Sequence, residues 1–268
     1  MQVTTLRRYP VKSMLGEDVS ELVVDESGAF GDRALAVIDT ATGRVATAKQ
    51  PRSWRQLLQC SAAGDPGRVH ITLPDGRTVE AGAGDTARLL SGLLERDVRL
   101  ADQRVDGIEM ERADPDEVLA RGIDAASNYV TGPVASATPG TSFVDYAPLH
   151  LITTATLDRL DIEAVRYRPN LIVTTPAEFP PYGENDWVGK ELSIGEVRLS
   201  AITTTPRCAV PTLEHGDLPR APEAVRRPMA ENRVAVAIPG RGALPCAGVY
   251  LTVLQGGTIG TGDRLVIH

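Results

Sequence analysis

The chain is a long succession of short apolar runs separated by turn residues, a pattern of strands and hairpins rather than of long helices. In VHITLPDGRTVEA, two alternating runs flank Asp75-Gly76, a pair that suits a type I′ hairpin turn. A second hairpin is predicted around Thr42 and Gly43 in ALAVIDTATGRVATA. Many short strands and few helices predict a mainly β protein with some helices (α+β), organised in two parts.

Three segments have the spacing of amphipathic helices. DTARLLSGLLERD begins with Asp85 as a possible cap, and four of its apolar residues share one face: Ala87, Leu90, Leu93 and Leu94. LHLITTATLDRL and APEAVRRPMAENR are the other two candidates, and Pro228 interrupts the second. Residues 101 to 142 are polar and weakly periodic, so we predict linker and loop there, with one short helix at DPDEVLARGI.

Composition argues against several classes of function. The formal net charge of −7 does not suit a nucleic-acid partner, and 4% aromatic residues leave few rings on which bases could stack. No apolar run approaches the roughly 18 residues of a membrane span. The start, MQVTTLRRYPVKS, lacks the apolar core of a signal peptide, so we expect a cytoplasmic protein. Three cysteines without a C-x-x-C pair predict neither a disulfide framework nor an iron–sulfur cluster.

GAGDTA, at residues 82 to 87, matches the dinucleotide-binding pattern G-x-G-x-x-A, and Asp102 follows at a suitable distance. The preceding strand, however, belongs to a tight antiparallel hairpin, whereas the strand of a dinucleotide-binding unit is parallel and buried on both faces. We therefore interpret this element as the glycine-rich start of a helix.

Two basic elements could hold an anion. In RRYPVKSMLG, Pro10 blocks regular strand pairing, and Lys12 and Ser13 then offer an amine and a hydroxyl. In RYRPN, Arg168 supplies a planar guanidinium, and Asn170 supplies both a donor and an acceptor. Taken alone, each element is better explained as a basic surface edge at the end of a strand.

TTTPRCAVPT places Cys208 directly after Arg207 and between two prolines. A thiol beside a guanidinium ionises more readily, which favours a nucleophile or a ligand for a soft metal. A cysteine hydrolase or transferase would also need a base, and His215 is the only histidine nearby in the sequence. A buried, inert cysteine is the general alternative.

Taken in order, these elements are specific. YPVKS, FGDRALAVID, YRPNLIV, WVGKELSIGEVRLSAITTTPRCAVPT and GGTIGTGDRLVI closely resemble the MOSC family. They are most similar to the branch with an N-terminal MOSC β-barrel domain, which includes the mitochondrial amidoxime reducing component. The resemblance implies a smaller β-barrel-like domain over residues 1–100, a linker over 101–124 and a MOSC-type β-barrel domain over 125–268.

The resemblance also implies the molybdenum cofactor (Mo-molybdopterin), a pterin dithiolene that carries a terminal phosphate. Cys208 then corresponds to the metal ligand and catalytic residue. The implied cofactor contacts are Lys12, Ser13, Arg33, Arg168, Asn170, Arg207, Cys208 and Tyr250. Two departures stand out: Met14 follows YPVKS where relatives often have a small residue, and LEHGDLP replaces an Asp-Pro-x-x-Gly turn, so we expect a differently shaped loop over the metal.

The activity implied is an oxidoreductase that reduces N-oxygenated (N-hydroxylated) small molecules. Without clustered cysteines, we expect a separate flavoprotein or ferredoxin-type electron donor. His215 and Asp145 are equal candidates for the proton donor. Two alternatives stay open: a cofactor carrier or sulfur-transfer protein with a persulfide on Cys208, and a hydrolase or transferase that uses Cys208 and His215.

Overall fold

Strands dominate the computed structural model, which describes residues 1–114, 117, 121 and 128–268. Strands make up 38% and helices 18% of the protein, which confirms the predicted α+β class. The strands are β1 (Gln2–Arg8), β2 (Glu17–Val19), β3 (Glu21–Asp25), β4 (Gly28–Ala29), β5 (Ala36–Asp39), β6 (Ser61–Ala63), β7 (His70–Thr72), β8 (Thr78–Glu80), β9 (Val98–Ala101), β10 (Glu109–Ala113), β11 (Tyr129–Pro133), β12 (Leu149–Thr153), β13 (Leu171–Thr174), β14 (Glu191–Ile194), β15 (Val197–Pro206), β16 (Arg233–Ala235), β17 (Ala243–Gln255), β18 (Gly257–Gly260) and β19 (Leu265–Ile267).

The helices described are α1 (Pro51–Trp54), α2 (Thr86–Leu94), α3 (Thr154–Leu160) and α4 (Glu223–Glu231). Short 3₁₀ turns occur at Arg55–Gln59, Ala164–Arg166, Gly183–Trp187 and Val210–Thr212. Among the described residues, no helix is long and apolar enough to cross a membrane.

The largest sheet joins the two ends of the chain. Its strand order is β19-β14-β15-β17-β12-β13-β1-β2, with β16 on the side of β17, and only the β12–β13 pair is parallel among its named pairings. A bridge between Gln2 and Arg264 joins β1 to the segment before β19 and closes the barrel. Its core combines Val3, Leu6 and Leu22 with buried residues of β12 to β19. The N-terminal strands are therefore part of the barrel built by the C-terminal half.

A second core lies between β5–β9, the three-stranded β6-β7-β8 sheet and α2. Alternating burial on β7, with Ile71 inside, and the apolar face of α2, with Leu90 and Leu94 inside, supply this core. The predicted division at residues 1–100, 101–124 and 125–268 stays a prediction.

The hairpin at Asp75-Gly76 forms, but its turn is not type I′. Only Gly76 has a positive φ (83°), and its N–H donates to the carbonyl of Leu73. A two-residue type I′ loop needs a positive φ at both central residues. The loop between Leu73 and Arg77 has three residues instead and is therefore wider. The antiparallel pairing of β7 with β8 confirms the context in which GAGDTA was interpreted.

Helix predictions hold for α2 and α4, the latter with Pro228 inside it, although the Asp85 side chain makes no capping hydrogen bond. The helix predicted at LHLITTATLDRL forms only in the second half of the segment. Its first residues form β12, and Thr153 then caps α3. The prediction of linker and loop with one short helix over residues 101 to 142 was wrong in leaving out strands, since the segment contains the antiparallel β10–β11 pair. Few side chains of that pair are buried. The two strands therefore lack the alternation of apolar and polar residues by which strands are predicted. The helix predicted at DPDEVLARGI lies outside the described residues, apart from positions 114, 117 and 121.

Candidate functional site

Cationic side chains from both halves of the chain meet where the loop after β1 contacts the segment that leads into β13. The Arg33 guanidinium donates to the carbonyl of Arg168 (3.2 Å) and to Oδ1 of Asn170 (3.3 Å). Arg168 Nη1 in turn donates to the carbonyl of Met14 (2.6 Å). Arg33, Arg168 and Asn170, which the family resemblance implies as cofactor contacts, therefore lie at one place although Arg33 is more than a hundred positions from the other two in the chain.

Lys12, Lys49 and Asp145 form what we call the lysine cluster. Lys12 Nζ donates to Asp145 Oδ1 (2.6 Å) and to the carbonyl of Phe143 (2.7 Å), and Lys49 Nζ lies 3.0 Å from Asp145 Oδ2. Burial lowers the pKa of Lys12 to about 8 in spite of Asp145. Burial also opposes charge on Lys49, but attraction to Asp145 and Cys208 outweighs it and raises the Lys49 pKa. The two lysines outweigh burial at Asp145 and hold its pKa well below the usual value.

Lys49 was missed by the sequence analysis. Lys49 stands between the apolar stretch VATA and helix α1. A lysine at such a place would ordinarily be solvated, yet the side chain of Lys49 is only 15% exposed. The Ser13 hydroxyl accepts a hydrogen bond from the N–H of Ala48 (3.1 Å), next to Lys49. Ser13 therefore positions the segment that carries Lys49.

Arg33 and Arg168 form what we call the arginine pair. Both guanidinium carbons lie over the ring of Tyr9, at 4.5 and 4.3 Å from its centroid. Arg33 also pairs with the buried carboxylate of Asp32. Arg168 Nη2 is buried and has no hydrogen-bond partner. Burial, followed by repulsion from Arg33, lowers the pKa of Arg168 to about 10, so this guanidinium stays charged at neutral pH.

Three of the predicted site residues adopt the left-handed backbone conformation that favours glycine. The φ angles are 66° at Ser13, 47° at Arg33 and 55° at Arg168. Such a conformation costs roughly 1–2 kcal/mol per residue for an L-amino acid with a Cβ. Strain of this kind persists where surrounding contacts over-determine the backbone, and it clusters at functional sites.

Asn170 is fully committed to contacts within the protein. Its Oδ1 accepts from the N–H of His150 (3.2 Å) and from Arg33, and its Nδ2 donates to the carbonyl of Arg7 (3.2 Å). Its main chain also bridges the start of β12 and the end of β1. The structure therefore makes Asn170 the junction between three segments.

Arg207 is next to Cys208 in sequence, but its guanidinium contacts other groups. It donates to the carbonyls of Thr205 (3.1 Å) and Tyr167 (3.0 Å), and its Nη2 lies 3.1 Å from His150 Nε2. Burial and Arg207 hold the pKa of His150 well below its ordinary value, so its Nε2 accepts a hydrogen bond from the guanidinium. His150 is a second residue that the sequence analysis did not place in the site.

Cys208 is a free, half-buried thiol in the loop between β15 and the Val210–Thr212 turn. It packs against a small cluster that contains Ala48, Leu58 and Leu213. Ala48 precedes Lys49, so this packing brings the lysine cluster and the thiol together. The other two cysteines, Cys60 and Cys246, are fully buried, as expected for small core residues.

Tyr250 lies on β17 with its ring 5.9 Å from that of His150 and 5.8 Å from that of Tyr146. Burial, followed by Asp145, raises the pKa of its hydroxyl. Lys49, Arg207 and Cys208 also act on this hydroxyl electrostatically, so Tyr250 belongs to the same site.

His215 does not form a dyad with Cys208. Its Nδ1 lies 2.9 Å from the carbonyl of Leu213, which requires that this nitrogen carry the proton. Its Nε2 is buried and has no hydrogen-bond partner. Burial lowers the pKa of His215 to about 4, with Arg168 the strongest of the charges that add to this effect.

Two family models match this chain. The MOSC N-terminal beta barrel domain matches residues 1–114, and the MOSC domain matches residues 140–266. The chain belongs to the MOSC family. MOSC domains are linked as a family to the molybdenum cofactor. Among the curated proteins, none matches this chain.

Two solved structures are similar to this MOSC protein. The YuaD protein from Bacillus subtilis is 12% identical, with 100% of this chain and 94% of that chain covered and a TM-score of 0.41. YiiM from Geobacillus stearothermophilus is 16% identical, with 62% of this chain and 75% of that chain covered and a TM-score of 0.31.

The donor set of this MOSC protein fits an anionic ligand that brings its own metal ligands. Among the described residues, no group of three or more His, Cys, Asp or Glu side chains could hold a metal ion. Cys208 offers one soft ligand, and the buried, unused Nη2 of Arg168 offers a charged donor. A phosphorylated dithiolene cofactor would need both kinds of group from the protein.

Proposed function

We propose that this protein is a molybdenum-cofactor-dependent oxidoreductase that reduces N-hydroxylated small molecules. One observation carries the proposal: the free, half-buried thiol of Cys208 interacts electrostatically with Lys49, and Lys49 pairs with Asp145 of the other matched domain, in a protein of net charge −7. A thiol next to a lysine cluster of net positive charge suits an electron-rich ligand that needs one further sulfur and neutralisation of its charge.

The bound cofactor would supply the two-electron redox chemistry, and the protein would bind it, orient it and set its electrostatic surroundings. In this proposal Cys208 adds the protein's sulfur ligand. Arg168 donates its unused Nη2 hydrogens to an anionic oxygen, with Arg33 beside it. The lysine cluster keeps one net positive charge near the thiol.

The remaining predicted contacts have supporting parts in this proposal. Ser13 holds the segment of Lys49, Asn170 holds Arg33, and Arg207 holds His150, because each side chain is already bonded to these groups. Tyr250 lines the site, and its hydroxyl interacts electrostatically with Asp145 and Cys208.

Neither candidate for the proton donor is in its acid form at neutral pH. His215 is neutral with its proton directed at a carbonyl, since its pKa is about 4. Asp145 is held as a carboxylate by the two lysines, which keep its pKa low. Within the proposal, Lys12 is the better proton carrier, because its pKa of about 8 is close to neutrality.

The test is metal analysis and turnover of protein made in a host that synthesises the molybdenum cofactor. We expect bound molybdenum and pterin, and reduction of N-hydroxylated compounds with reduced viologen or with a separate flavoprotein or ferredoxin system. NADH or NADPH alone should not support turnover. Direct turnover with NADH would contradict our interpretation of GAGDTA and of a separate electron donor.

Cys208→Ala should abolish turnover and change the spectroscopic signature of the molybdenum, while the cations retain part of the cofactor. The matched controls Cys60→Ala and Cys246→Ala change fully buried cysteines and should retain activity. Full activity in Cys208→Ala would overturn the assignment. Bound molybdenum without turnover on a broad substrate panel would favour a cofactor carrier, and a Cys208 persulfide without molybdenum would favour sulfur transfer.

A further inference from the structure

Tyr9 lies beneath both members of the arginine pair and begins the YPVKS motif, in which only Lys12 and Ser13 were predicted as site residues. Its ring is fully buried, and the guanidinium carbons of Arg33 and Arg168 lie 4.5 and 4.3 Å from the ring centroid. Guanidinium groups this close to an aromatic face are attracted by the ring's negative quadrupole. One ring therefore orders two long and otherwise flexible cationic side chains.

The two arginines differ in how their charge is compensated. Asp32 compensates Arg33 alone, and Arg168 keeps a buried Nη2 without a partner. Like charges that share a ring repel one another, and the lowered pKa of Arg168 reflects its burial and then this repulsion. Such an arrangement is unfavourable until an anion accepts hydrogen bonds from the two guanidiniums. The ring therefore holds both guanidiniums in place before the anion binds.

Tyr9 also fixes the backbone on both sides of the pair. Its N–H donates to Asp32 Oδ1 (2.9 Å), its carbonyl accepts from the N–H of Arg33 (2.7 Å), and its hydroxyl donates to the carbonyl of Pro169 (3.3 Å). A Cβ at Gly16 would lie 2.7 Å from Tyr9 Cδ1, so glycine lets the backbone pack flat against the ring. The ring consequently has one fixed orientation.

We propose that Tyr9 is a positioning residue whose ring face holds Arg33 and Arg168 in the orientation that binds an anion of the phosphate class. The inference rests on the proposed function only for the identity of the natural anion. It concerns the ring rather than the hydroxyl, because both guanidiniums of the pair lie over the ring, whereas the hydroxyl donates to the main-chain carbonyl of Pro169.

The test compares Tyr9→Phe, which keeps the ring, with Tyr9→Met, which fills much of the volume without an aromatic face. Isothermal titration of the cofactor-free protein with inorganic phosphate should give an affinity within about twofold of wild type for Tyr9→Phe and at least about tenfold weaker for Tyr9→Met. Molybdenum content after expression in a competent host should follow the same order.

Trp54→Met is the matched control, because Trp54 is a buried ring beneath Arg96 (5.5 Å) outside the site. It should lower stability but leave phosphate affinity within about twofold of wild type. Equal losses in Tyr9→Phe and Tyr9→Met would assign the effect to the hydroxyl and overturn the proposal. Wild-type affinity in folded Tyr9→Met, or no phosphate binding by the wild type, would also overturn it.

If Tyr9→Met does not fold, the wild type still decides through the guanidinium N–H resonances of Arg33 and Arg168. Upfield ring-current shifts are expected for both side chains, and their absence would contradict the stacked geometry. A wild type without molybdenum would count against the proposed function while leaving the phosphate measurement intact, so the two failures are distinguishable.

Discussion

The lysine cluster and the arginine pair differ in how their charge is compensated. The lysine cluster contains two cations and one carboxylate, and the arginine pair has the same formal charge once Asp32 is counted with it. Asp145 contacts both Lys12 and Lys49, whereas Asp32 pairs with Arg33 and leaves Arg168 without a carboxylate. The lysine cluster is therefore complete within the protein. The arginine pair has a buried donor to spare, which is what a binding site for an anion requires.

Both groups also join the two halves of the chain, but through different chemistry. The lysine cluster connects them by direct ion pairs from Lys12 and Lys49 to Asp145. The arginine pair connects them through a shared ring and through main-chain carbonyls. We therefore expect changes to the lysine cluster to act mainly on stability, and changes to the arginine pair to act mainly on binding.

Replacing Arg168 should have the largest effect on binding. A charge-assisted hydrogen bond contributes on the order of 1.5–3 kcal/mol, so Arg168→Ala should lose roughly ten- to more than a hundredfold in phosphate affinity and cofactor content. Arg168→Lys should lose nearly as much, because an ammonium lacks the planar fork. Arg159→Lys, at an exposed arginine paired with Glu231, is the control and should change neither quantity. Unchanged cofactor content in Arg168→Ala would make Arg168 an ordinary structural arginine.

Asp145→Asn should act on stability instead. It leaves two buried ammonium groups without their shared carboxylate, which we expect to lower the free energy of unfolding by about 2 kcal/mol after allowing for the partial exposure of Asp145. Urea denaturation at neutral pH measures the change. Asp65→Asn removes an exposed partner of Arg8 and should cost less than about 0.5 kcal/mol. Equal effects of the two substitutions would contradict the role of Asp145 as the shared partner of two buried lysines.

His215 should make the region around the arginine pair sensitive to acid. Its pKa is about 4 in the folded protein against 6.5 for an unperturbed histidine, because burial and then Arg168 disfavour the charged ring. The unfolded chain therefore binds more protons between these values, so this stability is present above about pH 6.5 and lost as the pH falls towards 4.

From pH 7 to pH 5 this group should cost roughly 1.5–2 kcal/mol of stability. Urea denaturation at both pH values should show a smaller pH dependence in His215→Gln than in wild type, since His150 contributes equally to both proteins. His70→Gln, at an exposed position, should leave the dependence unchanged. The same pH dependence in wild type and His215→Gln would show that the imidazole is charged or exposed in solution.

The smallest expected effect tests backbone strain away from the site. Glu95 ends α2 with a φ of 54°, comparable to the 55° of Arg168, but has no part in the site. Glu95→Gly should therefore stabilise the protein by about 0.5–1 kcal/mol in thermal or urea denaturation, because glycine adopts this conformation without strain. Arg168→Gly relieves the same strain but should lose anion binding. Destabilisation by Glu95→Gly would refute the strain argument.

The sequence by itself determined the α+β class, the hairpin of β7 and β8, the helices α2 and α4, and the MOSC family. Those features depend on local polarity, turn residues and short motifs, which neighbouring residues in the chain encode together. Through the family resemblance it also predicted Lys12, Arg33 and Arg168 as cofactor contacts. The resemblance rests on short motifs that follow one another in a specific order along the chain. The sequence could not show that Arg207 would turn towards His150 rather than Cys208.

Only the tertiary structure decided how the cations are partnered. Lys49 and His150 carry no local signal, and the YPVKS motif does not show what the ring of Tyr9 contacts, because each residue enters the site through contacts with residues far away in the chain. The distinction between a compensated lysine cluster and an incomplete arginine pair depends on which carboxylate lies within hydrogen-bond reach. The distance between each cation and its carboxylate is set by the closure of the barrel around β1. The strand leads into Tyr9 and Lys12 and brings them against segments more than a hundred residues later in the chain.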